Sequence, residues 1–192
     1  MLNELFVAEV DLRYVMGGLA RDSHEPMPAD SRAYVREAWQ QVAAKTGAQF
    51  NWDFWEKCQP RRSTYPSCRA VLAAAAQKPS IGPAMFHRIQ HAYYLQARNP
   101  SDATTLVELA AELHLDAPRF AEDLNSPAIE QRLQDDFILR RRLQATAFPS
   151  LVLAHGQRSR WIARGWQHSA EVEQQLRAAL LSLDKTKNGL PQ

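Results

Sequence analysis

The chain has 192 residues, 45% of them hydrophobic and 23% charged, and a formal net charge of +2. That length fits one domain, or one domain carrying a large insertion, and it buries a core without disulfide or metal staples. The small charge is spread along the chain, which argues against the clustered Lys/Arg footprint of a nucleic-acid binder, and no apolar run is long enough to span a bilayer.

In chain order, Leu2, Leu5 and Phe6 share one face and read as the tail of a helix over residues 1–6. The start has an early acid and no basic leader, so it is not a signal peptide, and a cytoplasmic protein is expected. Val10 to Met16 is rich in β-formers and reads as a strand ended by Gly17-Gly18. Arg21 to Asp30, with Pro26 and Pro28, reads as a loop. Asp30 or Ser31 caps a helix that runs to Thr46 and is closed by Gly47.

Phe50, Trp52, Phe54 and Trp55 make an unusually aromatic stretch, and residues 59–66 read as a turn. An Ala-rich helix starts at Ser67 and stops near Lys78-Pro79. Further helices are expected over Ile81 to Ala97, Asp102 to Leu113 and Asp116 to Leu124, with a longer one opened by Ser126-Pro127. The period then changes. Phe148 to Ala154 reads as a buried strand, His155-Gly156-Gln157 as a hairpin turn and Arg160 to Arg164 as a second strand. Ser169 caps a last amphipathic helix carrying Val172, Leu176, Ala179 and Leu180 on one side, and a polar tail follows from Lys185. A strand, a helical block, a long helix, a hairpin and a helix imply an α/β domain with a helical insertion.

The two cysteines, Cys58 and Cys68, fit no zinc spacing and read as two reduced thiols, with an accessory redox pair as the alternative. His87 and His91 have metal-ligand spacing on a helix, but Arg88 stands where a His-Glu-x-x-His pattern needs its acid, and no metal is expected. Trp52, Phe54, Trp55 and Tyr65 are read as core of the helical block ahead of a ligand groove. Arg61 and Arg62 are read as solvent-facing turn residues, with anion binding as the alternative. Asp135 and Asp136 point apart on a helix, and so do Arg140, Arg141 and Arg142; both groups are read as exposed surface.

Several segments in this order resemble a known family. Tyr14-Val15-Met16-Gly17-Gly18, then a helical insertion, then Leu143 to Leu153 around Phe148-Pro149, is similar to the DsbA-like branch of the thioredoxin superfamily. Phe54-Trp55, Thr64 to Ala70 and Gln90 to Tyr94 look like its cytoplasmic protein-disulfide isomerase subgroup. The resemblance implies a thioredoxin-like α/β fold with a large all-helical insertion. Residues 1–20 would form its first part, 21–125 the insertion, 126–184 its second part and 185–192 a tail. It implies a cis peptide bond before Pro149, and a substrate-binding loop of Ala147, Phe148 and Pro149 whose backbone pairs with an extended substrate.

The sequence departs from the family at one place. Relatives begin with a strand and a Cys-x-x-Cys at the start of the first helix, where the helix end favours the attacking thiolate. No Cys-x-x-Cys occurs in residues 1–192, so no catalytic residue is assigned, and Cys58 and Cys68 do not take that role. The first, central strand of the fold is expected to be absent with the motif, and Met1 is expected to be an internal residue of a longer natural protein. The implied function is thiol–disulfide exchange with a cysteine-containing polypeptide or a small thiol such as glutathione. No cofactor is called for, and this chain alone is expected to be inactive. The alternatives are a glutathione-dependent isomerase or transferase of the kappa and hydroxychromene-carboxylate isomerase type, with Ser in place of the first Cys, and a non-catalytic peptide-binding module.

Overall fold

Among the described residues the first helix, α1 (Ala29–Thr46), starts ahead of the caps expected at Asp30 or Ser31 because the Arg32 N–H already reaches the Pro28 carbonyl. Asp30 in its first turn complements the helix dipole, and Gly47 closes it at a φ of +72°, donating its N–H to Ala43 O. The computed structural model describes residues 10–187, and side chains through residue 182. The helix tail read over residues 1–6 lies outside the described residues, as does the chain beyond 187.

Short α2 (Phe54–Lys57) follows, then α3 (Tyr65–Gln77), which begins ahead of the expected Ser67 because Pro66 sits comfortably in its first turn. A single 3-10 turn (Pro79–Ile81) leads into α4 (Gly82–Leu95). α5 (Ala103–Glu112), α6 (Ala117–Asp123) and α7 (Pro127–Arg142) complete the helical run. Asp116 caps α6 by accepting the Arg119 N–H at 3.0 Å. Then come β1 (Ser150–His155), β2 (Arg158–Arg164) and α8 (Ser169–Lys187), which reaches past the end expected at residue 184.

The chain divides into two units, Met16–Asp136 and Met1–Val15 with Phe137–Gln192. In the first, α3 packs on α4, α5 and α6. The small side chains Ala70, Ala73 and Ala74 are buried, and a Cβ on Gly82 would stand 3.3 Å from the Ala75 Cβ, so α3 and α4 approach closely. Met85, Leu106, Leu109, Phe120 and Leu133 are also fully buried in this unit. α1 is held differently. Its one buried residue, Trp39, stacks on Phe50 at 4.8 Å between ring centroids and meets Trp55 at 5.0 Å and Tyr93 at 5.2 Å. Phe54 and Trp55 are therefore core, as read; Trp52, at the edge of the same cluster, is exposed.

In the second unit, β1 and β2 form an antiparallel hairpin turned at Gly156, whose φ is +59°. The register shifts between Leu151 and Val152: Leu151 faces Ala163 and Val152 faces Trp161, leaving Ile162 as the extra residue. That bulge lets neighbours Ile162 and Ala163 both turn inward, which strict alternation forbids. They pack with Leu151 and Leu153 of β1, with Val172, Leu176, Ala179 and Leu180 of α8, and with Val10.

Two expectations are corrected. Residues 10–16 carry no strand, because a strand exists through a hydrogen-bonded neighbour and, among the described residues, none pairs with this segment. Asp136 is not exposed surface: it is 3% exposed, and its Oδ2 accepts the Met16 N–H at 3.0 Å. Asp135, its neighbour around the helix, is the exposed one.

Candidate functional site

The loop holding the proposed substrate residues is set by how α7 ends. Gln144 takes the left-handed conformation at φ +55°, its N–H donating to Arg141 O while the Ala145 N–H donates to Arg140 O. These two bonds close a Schellman motif, with Gln where Gly is usual. The chain then leaves the helix axis through Thr146 to Pro149 and enters β1 at Ser150. Ser150 Oγ donates to Ala147 O across this bend, and the Phe148–Pro149 peptide bond is cis. Ala147, Phe148 and Pro149 are all exposed, Phe148 at 39%.

The loop opens onto a short sheet. Among the described residues, β1 pairs with β2 alone. Because Ser150 pairs with Arg164, the loop and the segment Gly165–His168 lie at the same end of the hairpin. Trp166 stands there, 47% exposed, with the His168 ring 4.7 Å away. The sequence reading did not single it out; an aromatic directly after a strand-ending Arg-Gly pair was the available signal.

The two thiols are far from poised. Burial pushes the Cys58 thiol up, and Asp102 adds to this; its Sγ donates to Ala97 O at 3.1 Å. Burial pushes Cys68 up to about 11, against a backbone hydrogen bond from Gly18 that works the other way. A disulfide-exchanging cysteine needs its thiolate, and both environments disfavour it. The two cysteines are free and not joined to one another.

The remaining candidates sort plainly. His87 and His91 are exposed on α4; His91 Nδ1 lies 3.3 Å from Arg88, and among the described residues no three metal-type ligands are grouped. Arg61 is half-buried, not free in solvent: it donates to Ser101 O and stands 3.5 Å from His24. Arg62 is exposed, as read.

A network that sequence reasoning missed pins residues 20–27. Asp22 pairs with buried Arg69 at 2.5 Å and accepts from Ser63 Oγ at 3.1 Å, while Arg69 also reaches Glu130 at 3.3 Å. Burial alone would raise Asp22, but the hydrogen bond and charge of Arg69, with help from Ser63 and Arg61, outweigh it and hold the carboxyl below its ordinary range. Nearby, Thr64 exchanges hydrogen bonds with the Ala20 backbone, and the Met27 N–H donates to Pro60 O at 2.8 Å.

A thioredoxin family model matches residues 3–162. The chain belongs to the thioredoxin family. Like this family, it has a thioredoxin-like fold, here mostly helical with a two-stranded sheet. Three solved structures place it further. It is similar to a candidate protein disulfide isomerase from Nitrosomonas europaea, with a TM-score of 0.76, 24% identity, 85% of this chain covered and 80% of that one. It is also similar to the cytosolic disulfide reductase DsbM from Pseudomonas aeruginosa, with a TM-score of 0.69, 27% identity, and coverage of 95% and 86%. The same reductase solved with GSH gives a TM-score of 0.67, 26% identity, and coverage of 95% and 87%. Among curated proteins, the ClpXP adapter protein SpxH of Bacillus subtilis (strain 168) is 28% identical over 124 residues. That match takes in 64% of this chain and 42% of the relative, so the chain spans less than half the length of SpxH. This thioredoxin-family chain is thus related to disulfide oxidoreductases. Among its described residues, no helix is long and apolar enough to cross a membrane.

Proposed function

We propose that this chain is the substrate-holding part of a cytoplasmic DsbA-type thiol–disulfide oxidoreductase whose Cys-x-x-Cys is encoded ahead of residue 1. The observation that carries this reading is the exposed loop Ala147-Phe148-Pro149 at the start of β1. An extended polypeptide pairs with the backbone of such a loop by hydrogen bonds, which give affinity without demanding a particular sequence. Phe148 supplies apolar surface beside that backbone.

The chemistry assigned to the upstream cysteines is ordinary exchange. The attacking thiolate forms a bond to one substrate sulfur, the substrate disulfide breaks, and the second cysteine resolves the mixed disulfide. The substrate is reduced and the protein's dithiol oxidised; a small thiol returns the dithiol. Glutathione is the thiol we assign, supported by the likeness to DsbM solved with GSH. The location is supported by the cytosolic description of DsbM. Cys58 and Cys68 take no part, because both thiols are shifted away from the thiolate.

The DNA just upstream of codon 1 tests the proposal. An in-frame Cys-x-x-Cys is expected there, together with an endogenous protein heavier than residues 1–192. A Ser in place of the first Cys would move the reading to a glutathione-dependent isomerase or transferase. An intact endogenous mass equal to residues 1–192 would leave a non-catalytic binding module.

A further inference from the structure

The substrate loop shares its end of the hairpin with residues that the exchange reaction does not use. The Ser150–Arg164 pairing puts the start of β1, which follows Phe148 and Pro149, beside the end of β2, which precedes Gly165 and Trp166. Neighbouring strands are about 5 Å apart, within the span of two aromatic side chains. Phe148 and Trp166 are both large, apolar and substantially exposed at this one end. Gly165, at φ +75°, makes the turn that carries Trp166 off the sheet toward α8.

The charged residues near this pair in sequence are mostly basic. The Arg164 guanidinium lies 4.0 Å above the Trp161 ring and, among the described residues, forms no ion pair with a carboxylate. Between residues 137 and 182 there are seven arginines against two acids, Glu171 and Glu173. Glu173 is spent on Arg177 at 2.9 Å, which leaves Glu171, in the first turn of α8, as the acid nearest in sequence to Trp166. Aromatic and arginine side chains together are what binding hot spots are built from. An arginine already stacked on a ring is also held ready for a carboxylate.

From these observations we propose that Trp166 and Arg164 set the substrate preference of the loop. The occupant is an extended polypeptide segment with an apolar side chain, seated against Phe148 and Trp166, and a carboxylate side chain close by, paired with Arg164. This rests on the loop's being the substrate site, as proposed above, and adds the class of polypeptide it takes.

The test uses the full natural protein, with any upstream Cys-x-x-Cys cysteines changed to Ser, and short, labelled peptides without cysteine, so binding is read with no disulfide chemistry. One peptide carries a central Phe flanked by Asp and Glu; the other carries the same Phe flanked by Lys. Fluorescence anisotropy is expected to show the acidic peptide binding at least about tenfold more tightly. Trp166→Ala is expected to weaken the acidic peptide by about tenfold or more. Arg164→Glu is expected to remove the preference or reverse it.

Equal affinity for the two peptides overturns the proposal, as does no binding of either. If Phe148→Asp abolishes binding while Trp166→Ala and Arg164→Glu leave it unchanged, the loop reading survives and this inference falls. Concentration-dependent self-association that competes with the peptide, and is lost in Trp166→Ala, would assign the surface to a second copy of the chain and also overturn it. Failure of the upstream exchange chemistry leaves these binding measurements standing, so the two readings fail separately.

Discussion

Gln144 closes α7 in a conformation that its side chain does not favour, at φ +55°. A Cβ in the left-handed region costs about 1 kcal/mol relative to Gly. Gln144→Gly is therefore expected to raise the unfolding free energy by about 0.5–1 kcal/mol, read as a shifted urea midpoint at unchanged slope. The same residue-scale reasoning applies to the thiols. Cys68, with its pKa pushed up to about 11, is ionised to only about one part in a thousand at pH 8. Native alkylation at pH 8 is expected to be slow at both cysteines and fast after denaturation, and Cys58→Ser with Cys68→Ser is expected to leave disulfide exchange by the upstream-extended chain intact. The sequence could exclude these cysteines by spacing; their partial burial, which supplies the physical reason, depends on tertiary packing, as the Ala97 carbonyl 39 residues from Cys58 shows. Asp136 shows the opposite case. Its acidic neighbour suggested a solvated face, but helix period alone does not say which of two adjacent residues points inward, and the Met16 amide it accepts is 120 residues away.

At the scale of elements, α1 is anchored by one tryptophan. Trp39→Ala removes the centre of the aromatic cluster and is expected to cost about 3–5 kcal/mol, seen as an early loss of α1 helicity on heating. The segment 20–27 is held by a charge pair whose pH response has a definite sign. The Asp22 carboxyl sits below its ordinary 3.8 when folded, so its stabilising contribution is present above that value and is lost as the pH falls through the lower folded value. The melting temperature is expected to drop between about pH 5 and about pH 3, and Asp22→Asn to show a shallower drop over the same range. Equal slopes in the two proteins would contradict the pairing. Helix and hairpin positions were legible because period and turn residues are local signals: Gly47, Asp116, Pro127 and Gly156 all fall where they were expected to act. The bulge at Ile162 was not legible, since it is a property of two strands in register. The expected strand at residues 10–16 was read from β-formers, but pairing needs a neighbour that the described residues do not contain.

On the scale of the whole molecule, the family was legible in the order of several weak motifs, and the family model matches residues 3–162. The cis peptide bond of the loop proposed to hold the substrate was legible in Phe148-Pro149. Trp166 and Arg164 were not, because their nearness to that loop follows from the hairpin register rather than from any spacing in the chain. What joins these observations is the division of labour proposed above, in which residues 1–192 hold the substrate and upstream cysteines supply the chemistry. Reduction of a protein disulfide such as insulin's, with glutathione as the final reductant, tests this most directly. The chain extended through its natural upstream codons is expected to reduce insulin, Phe148→Asp in that extended chain to slow it by about tenfold or more, and residues 1–192 alone to show no activity above glutathione. Equal activity with and without the upstream residues, or an extended chain indifferent to Phe148→Asp, would contradict it.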